Sequence, residues 1–394
     1  MPRAGVSHVP TTPEPRRVLM VAGEASGDVH GADLLRALKA RVPKLDVFGI
    51  GGEGLRAAGM RTIVDASELA TVGIVEGASR LGALVRTYRA LVRAVREHPP
   101  DLCLLVDFPE FNLRLARAAK RAGVPVLYYI GPQVWAWRRG RVRTIAARVD
   151  RLAVVFPFEP EFYAGSHCAV EFVGHPLLDR VRATRARADT LAAHGLDPKK
   201  RLVLLLPGSR AKEIDNILPP LLAASRELAA DGGRQFALAL AHTLSRADVD
   251  GHIRAAGVPM PIVAGDTYNL MAAADLALVS SGTATLECAL LECPMVIVYR
   301  MSRLTYLVGR LLVRGVRHIG MPNIVAGKEI VPELLQGAAT GPRVAAAARA
   351  ILDVPGRREA TVADLRAVRA RLGRGGAANR AAAMAAEMLG EAAG

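Results

Sequence analysis

Aromatic side chains are scarce in this chain, 4% of 394 residues with only two tryptophans, so its cores must be built from aliphatic residues. Cysteine is scarcer still. The four present (Cys103, Cys168, Cys288 and Cys293) form no C-x-x-C pair and no zinc spacing, which excludes a disulfide-stapled scaffold or a zinc module and fits a reducing compartment with free thiols. No apolar run approaches the roughly 20 residues of a spanning helix. The opening MPRAGVSHVPTTPEPRR has proline and arginine but no apolar segment of the secretory kind. The expectation is a protein neither exported by such a signal nor integral to a membrane. Acidic residues are also in deficit, 37 against 52 Lys and Arg, a formal charge of +15. Such a surface attracts phosphate, whether of nucleic acid, nucleotide or anionic lipid, and charge alone does not choose among them.

What is present is a folded-protein balance of 51% hydrophobic and 23% charged residues, on a chain longer than one core usually organises. Short apolar runs alternate with helical patterns: RVLMVA then HGADLLRALKA, LDVFGI then GLRAAGM, DLCLLVD then FNLRLARAAKRAG, then VPVLYYI. Repeated βαβ of this kind predicts a parallel sheet with helices on both faces. A second series, RLVLLLP, RQFALALAH, MPIVAG, DLALVS and PMVIVYR, predicts another. The expected class is α/β, two doubly wound Rossmann-like domains facing a cleft. The expected divisions are a flexible N-terminus at 1–16, a first domain at 17–185, a linker at 186–200, a second domain at 201–350, and C-terminal helices at 351–394 packing back on the first domain.

Ligands of open α/β sheets bind beyond the carboxyl ends of the strands, so strand-end loops carry the functional argument. GEASGDVHGA (23–32) is a glycine-rich turn, not a P-loop, that offers Glu24, Ser26 and Asp28 to the cleft, or else simply caps a helix. GIGGEG (49–54) formally fits the dinucleotide fingerprint G-x-G-x-x-G. It sits on the second strand, however, and Asp65 comes too early for the ribose-binding acid, so a plain turn is the better reading. In DLCLLVDFPEFN, Asp107 ends an apolar strand, where burial would raise its pKa and suit it to general-base work; Glu110 is the rival, and helix capping is the structural alternative. YYIGPQVWAWRRGRVR holds both tryptophans, Trp135 and Trp137, followed by arginines at 138, 139, 141 and 143, a cluster suited to phosphate or an anionic membrane. In the second half, LLLPGSRAKEI aims Arg210 and backbone N–H groups at an anion, and SSGTATLE opens a helix whose N–H groups and hydroxyls can cradle a diphosphate, with Glu287 for ribose. MPNIVAGKEIVPELLQ completes what looks like a nucleotide-sugar site.

GEASGDVHGA, GPQVWAWRRGR, FVGHPLLD, PGSR-x-x-EI, SGTATLE and MPNIVAGKEIVPELLQ, in this order and spacing, resemble the bacterial lipid-A-disaccharide synthase family from about residue 17 to 336. The resemblance implies a GT-B glycosyltransferase. It implies transfer of 2,3-diacylglucosamine from UDP-2,3-diacylglucosamine to 2,3-diacylglucosamine 1-phosphate, giving a β-1,6 disaccharide and UDP. It carries Asp107 over as the base and Arg210 and Asn323 as donor-site residues, Arg210 also catalytic. Gly208, Ser209, Ser281, Gly282, Thr283 and Glu287 are expected as the rest of the donor cradle, and Glu24, Ser26, Asp28, Trp135 and Arg138 are expected at the acceptor. Phe108 and Glu110 depart from the family loop, which has a small residue and Asp at those places.

Such chemistry needs a base on the acceptor 6-hydroxyl and preorganised donors for the leaving diphosphate; no metal and no cofactor is called for. The lone D-x-D, Asp248 and Asp250, lies in a helix-like stretch where i and i+2 diverge. Acylated substrates imply a cytoplasmic enzyme, peripheral on the inner face of the membrane. LATVGIVEGASRLGALVRTYRALVRAV, with Leu69, Val72, Ile74, Leu81 and Leu84 beside arginines, is the expected lipid-facing surface, or alternatively a helix buried on the sheet; LTYLVGRLLVRGVRHIG is a second candidate. Inner-membrane phospholipid and the two substrates are the expected partners, with a homodimer as a further candidate and no nucleic acid, since no such module is visible.

Overall fold

The computed structural model describes residues 14–66, 77–135, 140–301 and 317–390. The first half alternates strands β1 (Arg16–Ala22), β2 (Leu45–Gly51), β3 (Arg61–Asp65), β4 (Leu102–Val106), β5 (Val126–Tyr129), β6 (Arg151–Val154) and β7 (Ala169–Phe172) with helices. These helices are α1 (Ala25–Arg41), α2 (Glu53–Ala57), α3 (Gly77–Glu97), α4 (Pro109–Arg121), α5 (Arg141–Ala146), α6 (Glu159–Phe162) and α7 (Leu177–Arg180). The strands form one parallel sheet in the order β3-β2-β1-β4-β5-β6-β7. β1 and β4 read as unbroken apolar runs because helices cover both faces; Val18 to Ala22 and Leu102 to Val106 are buried throughout. β1 lies so close to β2 that a side chain at Gly49, where φ is +150°, would meet the Met20 carbonyl.

The connection contains helix α8 (Arg187–Ala193), so the charged, alanine-rich stretch expected as a linker is partly helical, anchored by buried Leu191. The second half comprises β8 (Arg201–Leu206), α9 (Ala211–Ala230), β9 (Arg234–Leu240), α10 (Ala247–Ala256), β10 (Ile262–Ala264) and α11 (Thr267–Ala273). It continues with β11 (Leu276–Ser280), α12 (Thr283–Leu290), β12 (Met295–Tyr299), α13 (Met321–Ala326) and β13 (Glu333–Leu335). Its sheet is also parallel, ordered β10-β9-β8-β11-β12-β13. Helices α14 (Gly341–Leu352), α15 (Arg357–Arg371) and α16 (Ala377–Met388) end the described chain. α16 returns to the first sheet's domain: Arg380 donates to the Val173 carbonyl at 2.9 Å and Arg151 pairs with Glu387 at 2.5 Å. Its buried alanines 377, 381, 382, 385 and 386 remove the bulk that would keep it from α1.

Strand order fixes where ligands sit. In the first sheet the winding reverses between β1 and β4, and in the second between β8 and β11. Chains leaving neighbouring strands in opposite directions open a crevice at each of these two points.

Candidate active site

The first crevice is bounded by Gly23, directly after β1, and Asp107, directly after β4. Asp107 and Phe108 both adopt left-handed backbone, φ +48° and +52°, a conformation costing about 1–3 kcal/mol per non-glycine residue. The surroundings hold it in place. The Tyr128 hydroxyl and the Asn112 amide both donate to the Asp107 carbonyl, at 2.7 and 2.6 Å. Burial raises the Asp107 carboxyl to about 6, the negative charge of Glu24 adding to the rise and the Phe108 N–H opposing it. Glu110, the rival, is far more exposed and pairs with Arg141 at 2.5 Å. Its carboxylate is thus engaged by a guanidinium at the surface, whereas the Asp107 carboxyl stands in the crevice.

Glu24 and Ser26 are exposed at the mouth of this crevice. Asp28 is not. Its carboxylate accepts from the N–H groups of Gly52, Gly54 and Leu55 at 2.6, 2.8 and 3.1 Å, so it caps α2 instead of facing an acceptor. The same bonds bear on GIGGEG, two of whose N–H groups, those of Gly52 and Gly54, are taken by Asp28. Trp135 is likewise withdrawn: it is 6% exposed, packs edge-on against Phe156 and Phe158, and donates its indole N–H to Glu159 at 3.3 Å. Arg138, Leu69, Val72 and Ile74 lie outside the described residues. So does LTYLVGRLLVRGVRHIG, apart from its last four residues. Leu81 falls on α3. Leu84, expected on the lipid side, packs toward the core with Tyr88 and Val92, because helical spacing puts it on the face of buried Leu91 and Val95.

The second crevice is a cavity of about 840 Å³ at the carboxyl ends of β8, β9, β10 and β11. Gly208, Ser209, Arg210, Ser281, Gly282, Thr283 and Glu287 all line it. Gly208 has φ +121°, and a side chain there would strike the Glu213 carboxylate. That carboxylate accepts the Ser209 N–H and holds Arg210, both at 2.8 Å, which fixes the PGSR turn while leaving Arg210 80% exposed toward the cavity. Gly282 and Thr283 open α12, whose first N–H groups need an acceptor. Burial raises the Glu287 carboxyl, a rise the Tyr268 hydroxyl opposes by donating to it at 3.0 Å. Asn323 does not line the cavity. It is fully buried, accepts from Ile330 and Val331 N–H, and donates to the Val331 carbonyl and Glu333. Its whole bonding capacity goes into the turn between α13 and β13. Asp248 accepts from Ser245, and Asp250 pairs with Arg246.

Tyr268 and the supports Tyr128, Asn112 and Glu159 were not singled out from the sequence. GDTYNL follows the predicted strand MPIVAG, so the strand-end rule would have found Tyr268; the other three carry no local signal. Arg180 joins the crevices, pairing with Asp33 on α1 at 3.2 Å while its charge opposes the burial-driven rise of the Tyr268 hydroxyl.

The family described as lipid-A-disaccharide synthetase matches residues 18–388. The lipid-A-disaccharide synthase of Geobacter metallireducens is 50% identical over 377 residues, covering 95% of this chain and 98% of that one. That of Geobacter sulfurreducens is 49% identical over 376 residues, covering 95% and 98%. Among solved structures, a putative UDP-N-acetylglucosamine 2-epimerase from Listeria monocytogenes superposes with TM-score 0.64 at 13% identity, covering 96% and 98%. The calicheamicin glycosyltransferase CalG4 gives 0.60 at 17% identity, covering 96% and 100%, and MurG of Acinetobacter baumannii 0.56 at 14%, covering 94% and 99%. At such identities these structures speak for the GT-B fold alone.

Proposed function

The chain belongs to the lipid-A-disaccharide synthase family, glycosyltransferases of lipid A biosynthesis, and from that premise we propose that it transfers 2,3-diacylglucosamine from UDP-2,3-diacylglucosamine to the 6-hydroxyl of 2,3-diacylglucosamine 1-phosphate. The products are the β-1,6 disaccharide 1-phosphate and UDP. The observation that carries the reading is the pairing of two crevices, one holding a carboxylate raised to about 6 and the other lined by a turn, a helix start and Arg210 suited to a diphosphate.

Asp107 takes the proton as the acceptor oxygen attacks the anomeric carbon, and UDP leaves from the opposite face, inverting that centre. Arg210, Ser209, Ser281 and Thr283 stabilise charge on the departing diphosphate. Glu287, kept in place by Tyr268, accepts from ribose hydroxyls. Glu24 and Ser26 meet the acceptor. Among the described residues no helix is long and apolar enough to cross a membrane, and acylated substrates require contact with lipid. The protein therefore works peripherally, with the exposed arginines 86, 89 and 93 of α3 toward the inner leaflet.

The test is UDP release from the donor with and without acceptor, in detergent and in liposomes, with EDTA, for the wild type and Asp107→Ala. Acceptor-dependent release that survives EDTA and falls by roughly 10²–10⁴ in the variant is expected. Release without acceptor would mean a hydrolase, and release unaffected by the substitution would remove Asp107 as the base.

A further inference from the structure

We propose that Arg182, on the segment joining the two domains, is a second cation for the donor diphosphate; the inference rests on the donor reading of the β8–β11 crevice. Arg182 lines that cavity although it belongs to neither strand-end turn that cradles the anion. Among the described residues three carboxylates line the cavity: Glu213, Asp266 and Glu287. Glu213 holds Arg210 at 2.8 Å, so part of the attraction that Arg210 would offer a phosphate is already spent. Asp266 is engaged by Arg185 and by His194 at 2.6 Å. Arg182 is the cavity's one guanidinium that, among the described residues, has no carboxylate partner. The donor's diphosphate, a diester, carries two negative charges before transfer, and the UDP that leaves, a monoester, gains a third as the glycosidic C–O bond breaks. Arg210 beside Glu213 does not balance them alone.

The backbone holds Arg182 at the cavity from both sides. Val181 before it is buried. After it, the N–H groups of Thr184 and Arg185 both donate to Asn269 Oδ1, at 2.7 and 3.0 Å. Asn269 in turn donates to Asp266 at 2.7 Å, and both residues are part of the cavity wall. The connecting segment is thus tied to the donor site within three residues of Arg182. With the backbone held there, only the Arg182 side chain must be ordered on meeting a phosphate, and its guanidinium offers a planar fork of donors. Because the segment also joins the two domains, a donor that engages Arg182 bears directly on how they are held together.

The experiment is calorimetric titration of wild type, Arg182→Ala and Arg182→Lys with UDP, UMP and uridine at one fixed salt concentration, alongside thermal melts. Removing a charge-assisted hydrogen bond should weaken UDP roughly tenfold to a hundredfold. UMP should lose less and uridine nothing; Lys should lie between Ala and wild type, and the melts should coincide. Equal UDP affinity in wild type and Arg182→Ala overturns the inference. So does an equal loss for uridine, which would mean that Arg182 only props the wall. Failure of the wild type to bind UDP overturns it together with the donor reading beneath it.

Discussion

The Phe108 ring occupies the space where a side chain at Gly23 would be: a β-carbon there would stand 2.3 Å from the ring. Gly23 follows directly on β1, the strand beside β4, and Phe108 stacks on Phe111 at 5.3 Å between ring centres. The glycine is needed for space, and what it admits is the residue that follows Asp107.

Gly23→Ala should therefore push Phe108 away and carry the Asp107 carboxylate with it, since both residues share one left-handed stretch. A displacement near 1 Å at a reacting group costs on the order of a hundredfold. The expected result in steady-state kinetics is a fall in kcat, with donor KM little changed. Trimming the ring in Gly23→Ala/Phe108→Ala should restore part of the loss. Wild-type kcat in Gly23→Ala would show that the ring moves without Asp107.

Asp107 predicts two pH dependences of opposite sign. As a base it acts ionised, so activity should rise through about pH 6 and level off above. Its folded-state pKa is raised from 3.8, so the folded chain binds this proton more tightly than the unfolded one. The corresponding stability is fully present below pH 3.8 and is lost as pH rises through about 6, at most about 3 kcal/mol. Asp107→Asn should thus melt higher than wild type at pH 8, by a margin that shrinks toward pH 4, while its turnover collapses. Glu110→Gln should keep the wild-type activity profile. An activity profile flat from pH 5 to 8 in the wild type would remove the link between this carboxyl and the rate.

Both sheets were legible in the sequence because parallel strands buried on two faces are continuous apolar runs, RVLMVA and RLVLLL among them, and their ends point to the crevices. Residue type and nearness to a strand end were enough to single out Arg210, Ser281, Thr283 and Glu287, which line one cavity. Direction was not legible. Asp28 and Asn323 are polar residues in glycine-bearing motifs, just as Glu24 and Ser281 are, yet from helices α1 and α13 they turn inward to satisfy backbone groups. The partners that draw them in, the N–H of Gly52 twenty-four residues away or of Ile330 seven away, come into view only once the chain has folded. Trp135 misled for a related reason: beside four arginines it reads as a surface aromatic, but a buried carboxylate from a later helix takes its N–H.

That carboxylate, Glu159, gives the last prediction. It is 5% exposed and accepts three N–H groups, from Val155 and Phe156 at 3.0 and 2.9 Å and from Trp135 at 3.3 Å. Burial outweighs these bonds and raises the carboxyl from 4.5 to about 7. Below that pH the added proton turns one oxygen from acceptor to donor in front of N–H groups that can only donate, and the indole bond, the longest of the three, is the one that should yield. Trp137→Phe leaves Trp135 as the sole tryptophan, so its emission should titrate with a midpoint near pH 7 and the transition should vanish in Trp137→Phe/Glu159→Gln. The folded-state pKa is again raised, so stability from this group is full below pH 4.5 and declines as pH rises through about 7. Melting temperatures measured across the same range should fall as the emission changes. Emission that stays flat from pH 5.5 to 8.5 would mean that the proton never reaches the indole, and that Trp135 is held by its aromatic neighbours alone.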